Sequence, residues 1–179
     1  MIAMNKVKHK RLHIGCGKDI KQGYVNLDSV KLEGVDVVHN LNKYPWPFKD
    51  NEFEEVIAFM VLEHLNDWTR AMEEMWRISK NGAIIKIKVP FFPSMYSVID
   101  PTHKAFFTYY TFDYFEPGHS LSYYFKARFK IVKKYIRFSW NRILNVISLP
   151  INLFPKVYCR YFSFILPSNE LYVVLRVVK

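Results

Sequence analysis

The sequence predicts an α/β domain with three layers, in which helices pack on a mostly parallel β-sheet. A continuous apolar run at residues 54–61 is typical of a strand that is buried on both faces. Directly after it, apolar residues recur at helical spacing from Asn66 to Ser79, which indicates a helix packed on that strand. Further strand patterns precede and follow this pair, so the order of segments favours right-handed crossovers between parallel strands.

Seven segments have the apolar, β-branched or aromatic composition of strands. They lie at residues 11–14, 24–28, 35–39, 54–61, 83–89, 129–138 and 170–179. Asn66 or Asp67 can cap the helix that starts there, and Lys80, Asn81 and Gly82 predict the turn that ends it. A further short helix is expected at about residues 108–115.

The first three predicted strands are joined by segments too short for helices. Part of one sheet face would therefore be bare, in an N-terminal half with reduced helices. Large exposed apolar patches are rare on monomers. We therefore expect either the segment 140–169 or a second subunit, as in a homodimer, to cover that face.

Length and composition indicate one domain over residues 1–179, with a flexible basic N-terminus at residues 1–10. Hydrophobic residues make up 50% of the chain and charged residues 23%, as expected of a globular protein. The N-terminus lacks the apolar core of a signal peptide, and no run reaches the roughly 18 apolar residues that span a bilayer. We therefore expect a cytoplasmic protein, with peripheral membrane contact left open.

Neither cysteine nor histidine spacing predicts a metal site. Cys16 and Cys159 are far apart and give no disulfide framework and no paired-cysteine site, which fits a reducing compartment. His9 and His13 are four residues apart, but they straddle the start of a strand and would not share a face.

A glycine loop and an acid indicate a nucleoside pocket. The first strand runs into Gly15-Cys16-Gly17, where glycines permit a tight turn and close approach of a ligand, and the second strand ends at Asp28, which can accept both ribose hydroxyls. Only nine residues separate Ile14 from Tyr24, so no helix N-terminus is offered to a pyrophosphate. The predicted ligand is a nucleoside without phosphates, although ordinary turn glycines and a turn-capping Asp28 are the alternatives.

This stretch resembles the first motif of class I S-adenosylmethionine-dependent methyltransferases, in a small subgroup with a shortened glycine loop (methyltransferase type 11-like). The resemblance continues through Val37–Leu65 and Glu73–Pro90, and covers about the first half of the chain well. It implies a Rossmann-like, mostly parallel seven-stranded sheet with an antiparallel last strand, and S-adenosyl-L-methionine as the cofactor.

The resemblance also implies which residues contact the cofactor: Gly15, Cys16, Gly17, Asp28, Asn40, Leu41 and Glu63. In the family an Asp-Leu pair contacts adenine. Asn40 replaces that acid here, and its carbonyl oxygen can still accept from the adenine amino group. Glu63 and His64 match a motif beside the methionine part of the cofactor and the substrate entrance. A structural pair that fixes the loop is the alternative.

Catalysis is expected from His103, with His64 and Asp100 as the other candidates. Subgroup members carry a motif similar to the one that contains Asp100 and His103, in the loop after the fifth strand. A histidine can take a proton near neutral pH, and a carboxylate can hold its tautomer. Alternatively, Asp100 only caps a turn before Pro101.

Positive charge is concentrated in the second half of the chain. Residues 1–100 carry 14 Lys and Arg against 13 acids, whereas residues 101–179 carry 12 against 3. The segment 140–169 is rich in apolar and aromatic residues, has three basic residues and lacks acids. We expect it to shape the acceptor site, either as a hydrophobic lid on the sheet or in contact with an anionic membrane surface.

The predicted function is therefore methyl transfer from S-adenosylmethionine. The acceptor is expected to be a small molecule, a glycan or a lipid-linked hydroxyl. Nucleic acid is less favoured, because no RNA-binding appendage accompanies the fold. The alternatives are a non-catalytic S-adenosylmethionine-binding protein, a membrane-surface adaptor or a nucleic-acid methyltransferase.

Overall fold

The computed structural model describes residues 10–179. The predicted flexible N-terminus therefore lies outside the described residues, apart from Lys10. The strands are β1 (Arg11–Ile14), β2 (Val25–Asp28), β3 (Val37–Val38), β4 (Phe53–Phe59), β5 (Ser79–Pro90), β6 (Arg128–Arg137) and β7 (Glu170–Val178). The α-helices are α1 (Trp68–Ile78), α2 (Met95–Val98), α3 (Ser148–Leu153) and α4 (Pro155–Val157).

The seven strands form one sheet in the order β3-β2-β1-β4-β5-β7-β6. Strands β1 to β5 pair in parallel, whereas β7 runs antiparallel to both of its neighbours. The predicted mostly parallel sheet with an antiparallel last strand and few helices is thus confirmed. Because β1, β2, β4 and β5 are parallel, the loops that follow them meet at one edge of the sheet.

Helix α1 begins as predicted, with the Asp67 side chain accepting from the backbone N–H of Arg70. Its end differs from the prediction. Ser79 already belongs to β5 and pairs with Phe53, after which the register is irregular until Ile84 pairs with Glu55. The predicted turn around Gly82 is therefore an irregularity within the strand and not a free loop.

One face of the sheet carries the hydrophobic core. Leu12, Val56, Ile85 and Leu175 are fully buried on this face, and they belong to the same cluster as Met72 of α1. Burial of each such side chain contributes roughly 1.5–3 kcal/mol, so this face holds the sheet and α1 together.

The opposite face carries polar and charged side chains. Lys86 pairs with Glu55 at 3.0 Å, and the Tyr24 hydroxyl also bonds to Glu55. Lys86, Glu55 and Tyr24 are only partly buried, and Arg11 is exposed. Helix α1 packs on the core face, and the crossovers between β1, β2 and β3 have no helices. Salt bridges and hydrogen bonds join several side chains of the opposite face, but the buried Nδ1 of His13 has no hydrogen-bond partner among the described residues.

The segment 140–169 contains the short helices α3 and α4, but it does not cover β1–β3. Asn152 of α3 bonds to the backbone of Ile136 at 2.7 and 2.8 Å and so caps the edge strand β6. Tyr158 packs against Phe91, at the end of β5. Segment 140–169 therefore does not cover the bare face of the sheet at β1–β3. Coverage of that face by a second subunit stays a prediction. Within the described part of the chain, every helix is too short or too polar to span a bilayer.

Candidate active site

The glycine loop turns sharply after β1. Gly15 and Gly17 both have positive φ, at 62° and 51°. A Cβ atom at Gly15 would lie 2.4 Å from Cγ2 of Val61, whereas a Cβ at Gly17 would meet nothing within 4 Å. Gly15 therefore lets the chain after β1 pack against the chain after β4, and Gly17 leaves an open backbone surface that a ligand can approach.

Asp28 connects the end of β2 to this loop. Its Oδ2 accepts from the backbone N–H of Gly17 at 2.8 Å, and its Oδ1 accepts from that of Val30 at 3.1 Å. The Ser29 hydroxyl also donates to Oδ1, at 3.4 Å. A carboxylate oxygen has two lone pairs, so Oδ2 can still accept one ribose hydroxyl. Cys16 is buried beside Asp28, and burial with that negative charge raises the pKa of its thiol. The Cys16 side chain therefore packs in the protein interior, and its backbone N–H donates to the carbonyl of Leu27.

Asn40 and Leu41 follow β3, as the resemblance implies. Asn40 is exposed, and its Oδ1 accepts from the N–H of Asn42 at 2.9 Å. The second lone pair of this oxygen and the amide nitrogen have no hydrogen-bond partner among the described residues and can bond to an adenine edge. The Leu41 side chain lies in the core, and its carbonyl accepts from the indole of Trp46 at 3.1 Å. Only the backbone N–H of Leu41 is then offered to a ligand.

Glu63 is a buried acid in the 3₁₀ turn that follows β4. Its side chain is 1% exposed, and its Oε2 has no hydrogen-bond partner among the described residues. Burial, with Asp100 nearby, raises the pKa of Glu63 to about 7. The N–H of Lys104 donates to the Glu63 carbonyl at 2.7 Å, which fastens the loop after β5 to this turn.

The hydrogen bond between Lys104 and Glu63 brings the two predicted histidines, His64 and His103, together. The rings of His64 and His103 lie 4.8 Å apart at their centroids. Thr102 donates its hydroxyl proton to Asp100 Oδ1 at 2.7 Å, and its oxygen lies 2.8 Å from His64 Nδ1. His103 Nδ1 lies 3.1 Å from the carbonyl oxygen of Ser97, and its Nε2 lies 3.9 Å from Asp100 Oδ2.

These contacts fix which ring nitrogens are free. The Ser97 carbonyl can only accept, so Nδ1 of His103 carries the proton. The Thr102 hydroxyl has given its proton to Asp100, so Nδ1 of His64 donates to it. In the neutral form of each ring, Nε2 consequently keeps a lone pair. Burial and the neighbouring His103 lower the pKa of His64, which keeps its ring neutral.

The histidines line a cavity of about 300 Å³ at the carboxyl edge of the sheet. The sequence did not single out three other lining residues, Met60, Tyr96 and Trp140. Met60 adopts φ 52°, an uncommon left-handed conformation that often marks functional sites, and no sequence pattern indicates it. Trp140 contacts Tyr96 at 4.3 Å between ring centroids, and Asn169 also lines the cavity. Both ends of segment 140–169 thus reach the site.

The first half of the chain matches a known protein family. Residues 10–87 match the family model described as a methyltransferase domain. A comparison with curated proteins found no match. The matched residues include the glycine loop, Asp28 and the turn that contains Glu63, so the predicted resemblance to a methyltransferase domain is confirmed over this part of the chain.

Solved structures share the fold over nearly the whole chain. A SAM-dependent methyltransferase from Archaeoglobus fulgidus is 19% identical with a TM-score of 0.64, over 96% of this chain and 87% of that one. An S-adenosylmethionine-dependent methyltransferase from Mesorhizobium loti is 12% identical with a TM-score of 0.58, over 93% and 90%. The [4+2]-cyclase SpnF is 16% identical with a TM-score of 0.61, over 94% and 74%. The resemblance to the class I methyltransferase fold is thereby confirmed.

Proposed function

We propose, from the methyltransferase domain at residues 10–87 and the methyltransferase fold of the whole sheet, that the protein transfers a methyl group from S-adenosylmethionine to a hydroxyl oxygen of an acceptor. The observation that carries the proposal is the position of two sites along one sheet edge. Asp28 and the open backbone of Gly17 provide a nucleoside pocket after β1 and β2, and His64 and His103 line a cavity after β4 and β5.

The residues present fit the cofactor. Gly17 leaves the space that a Cβ would occupy, and Oδ2 of Asp28 keeps a lone pair for a ribose hydroxyl. S-adenosylmethionine, when bound, supplies a methyl group already activated by its sulfonium. The protein therefore needs mainly to align the acceptor with that group, and this alignment supplies most of the acceleration. His64 and His103 line the cavity after β4 and β5, and the Nε2 lone pair of a neutral ring can accept a hydroxyl proton there.

Binding of S-adenosylmethionine or S-adenosylhomocysteine is the first test. We expect calorimetry on the full chain to detect saturable binding of either compound, and no comparable binding of NAD or ATP. The reason is the short loop after Gly17, which has no helix N-terminus to bind a phosphate. NAD that binds as tightly as S-adenosylmethionine would contradict the assignment.

Catalysis needs a separate test, because the [4+2]-cyclase SpnF has the same fold. A cofactor-binding protein without methyl transfer is the second candidate. Incubation with methyl-labelled S-adenosylmethionine in a cell lysate distinguishes the two. Label that moves into a lysate component, in amounts exceeding the protein added, supports an enzyme.

The acceptor is proposed to be a lipid-linked or otherwise apolar molecule with a hydroxyl group, reached at an anionic membrane surface. Segment 140–169 exposes large apolar side chains, with Ile143 82%, Phe164 76% and Ile165 78% accessible. Its short helices also border an apolar cavity of about 400 Å³, lined by residues such as Ile151 and Phe154. Glycan and nucleic-acid acceptors remain alternatives that product identification would reveal.

Charge favours an anionic surface for this segment. Arg142, Lys156 and Arg160 lie among its exposed apolar side chains, and no acid occurs between Glu116 and Glu170. Interfacial helices bind through buried apolar area together with attraction to anionic lipids. Such attraction weakens as salt screens the charges.

Flotation with vesicles tests the membrane contact. We expect the protein to float with vesicles that contain anionic lipid, to float less at raised salt, and to float less when Ile143 and Ile165 are both replaced by Ser. Val30→Ser is the matched control, because Val30 is 56% exposed on the other half of the protein. Absence of flotation with both anionic and neutral vesicles would leave segment 140–169 as a lid.

A further inference from the structure

The strongest unassigned feature of the molecule is a cluster of three potential metal ligands in the candidate active site. Glu63, His64 and His103 each offer one ligand atom, and these atoms lie within 4.8 Å of one another. Among residues 10–179 this is the group of at least three such side chains that stands close enough to hold an ion. No spacing in the sequence indicates this cluster, because His64 and His103 are too far apart along the chain to form a metal-ligand motif.

The hydrogen bonds around the histidines are those of metal ligands. A metal-binding histidine almost always donates its second ring N–H to a carbonyl, a carboxylate or another acceptor, which orients the lone pair on the first nitrogen. His103 donates Nδ1–H to the Ser97 carbonyl, and His64 donates Nδ1–H to Thr102, which is itself held by Asp100. These bonds therefore orient the Nε2 lone pair of each neutral ring, and Nε2 of His103 also lies 3.9 Å from Asp100 Oδ2.

The third member of the cluster, Glu63, has a carboxylate oxygen that accepts no hydrogen bond from the described residues. Oε2 of Glu63 is buried and unpartnered among the described residues, although nearly all buried polar atoms in proteins are satisfied. The loop after β5 provides no basic side chain for it: Lys104 bonds instead to Asn66. A cation between Glu63 and the two imidazoles would satisfy all three lone pairs at once.

We propose that Glu63, His64 and His103 bind one divalent transition-metal ion, of the Zn²⁺ or Fe²⁺ kind. Two imidazoles and one carboxylate are the protein ligands of many catalytic sites for these ions, and they leave coordination positions open. Ligands at about 2.1 Å from a tetrahedral ion are about 3.4 Å apart. The ligand atoms lie within 4.8 Å of one another, so the furthest pair must draw together by up to about 1.4 Å, through rotation of the side chains as the ion binds.

The open positions face the cavity of about 300 Å³ beside the predicted cofactor pocket. With the ion bound, the Nε2 lone pairs of His64 and His103 are its ligands and do not accept the hydroxyl proton. An acceptor hydroxyl on the ion would instead lose its proton to water more readily, because a metal ion lowers the pKa of an oxygen that it binds. The oxygen would then attack the methyl carbon while the carbon–sulfur bond breaks and its electron pair stays on sulfur. This catalytic role rests on the proposed function, whereas binding of the ion does not.

Metal titration of the chelator-treated full chain tests the site. We expect one Zn²⁺ per chain by calorimetry, and one Co²⁺ with a visible absorption spectrum that Zn²⁺ displaces. Glu63→Gln and His103→Gln should each weaken binding at least tenfold. Thr102→Val should weaken it by about ten- to a hundredfold without removing a ligand, since loss of an orienting partner has that effect, and Thr102→Ser should restore it.

The control is His119→Gln, because His119 lies away from the cavity and accepts from the N–H of Leu121. It should leave metal affinity unchanged. Circular dichroism on each variant checks that it is folded. Absence of stoichiometric binding to the wild-type chain, or binding that survives in folded Glu63→Gln and His103→Gln, would overturn the proposal. Metal binding without S-adenosylmethionine binding would instead refute the proposed function and leave the metal site.

Discussion

His103→Ala is expected to lower methyl transfer by about 10²–10⁴-fold, the usual contribution of a group that handles the reacting proton. The His103 side chain is 8% exposed and lines the cavity after β5, and its polar contacts are with Ser97 and Asp100. Neither residue belongs to the glycine loop. The affinity for S-adenosylmethionine should therefore stay within a few fold of the wild-type value.

Single-turnover rates with the identified acceptor, together with calorimetry of the cofactor, would measure both quantities. His119→Ala removes a histidine elsewhere and should change neither. If turnover of folded His103→Ala equals that of the wild type, the cluster is structural and the alternative of a loop-fixing role is correct. A parallel loss of cofactor affinity would place His103 in the cofactor pocket instead.

Asp28→Ala is expected to weaken S-adenosylmethionine binding by about ten- to a hundredfold. A hydrogen bond to a charged group contributes roughly 1.5–3 kcal/mol, and the carboxylate also holds the glycine loop through the N–H of Gly17. The core should survive, because Asp28 lies at the edge of the sheet and contributes no buried apolar surface.

Calorimetry gives the dissociation constant, and thermal unfolding checks that the domain remains folded. Asp19→Ala is the matched control: Asp19 is an acid of the same loop, but its side chain is 60% exposed and pairs with Lys21. An unchanged dissociation constant in Asp28→Ala would mean that this residue only ends the strand. Equal weakening in both variants would indicate a general effect of charge and not a ribose contact.

The sequence by itself determined the elements of the fold, because their patterns are local. Alternation, β-branched composition and the apolar run at 54–61 located the seven strands to within a few residues, and Asp67 was among the expected caps of α1. The pairing of the glycine loop with Asp28 was also predictable from the sequence. Gly17 and Asp28 are 11 residues apart, they follow or end neighbouring strands, and they form a hydrogen bond. Short spacing of this kind leaves few possible geometries.

Only the tertiary structure showed which residues from distant parts of the chain meet at the carboxyl edge of the sheet. His64 and His103 are far apart along the chain and meet because the N–H of Lys104 closes the loop after β5 onto Glu63. The position of segment 140–169 likewise depends on Asn152 reaching the backbone of Ile136. Such contacts join segments that no periodic pattern relates. They exist because buried polar groups must find partners in the folded chain, and those partners are set by packing.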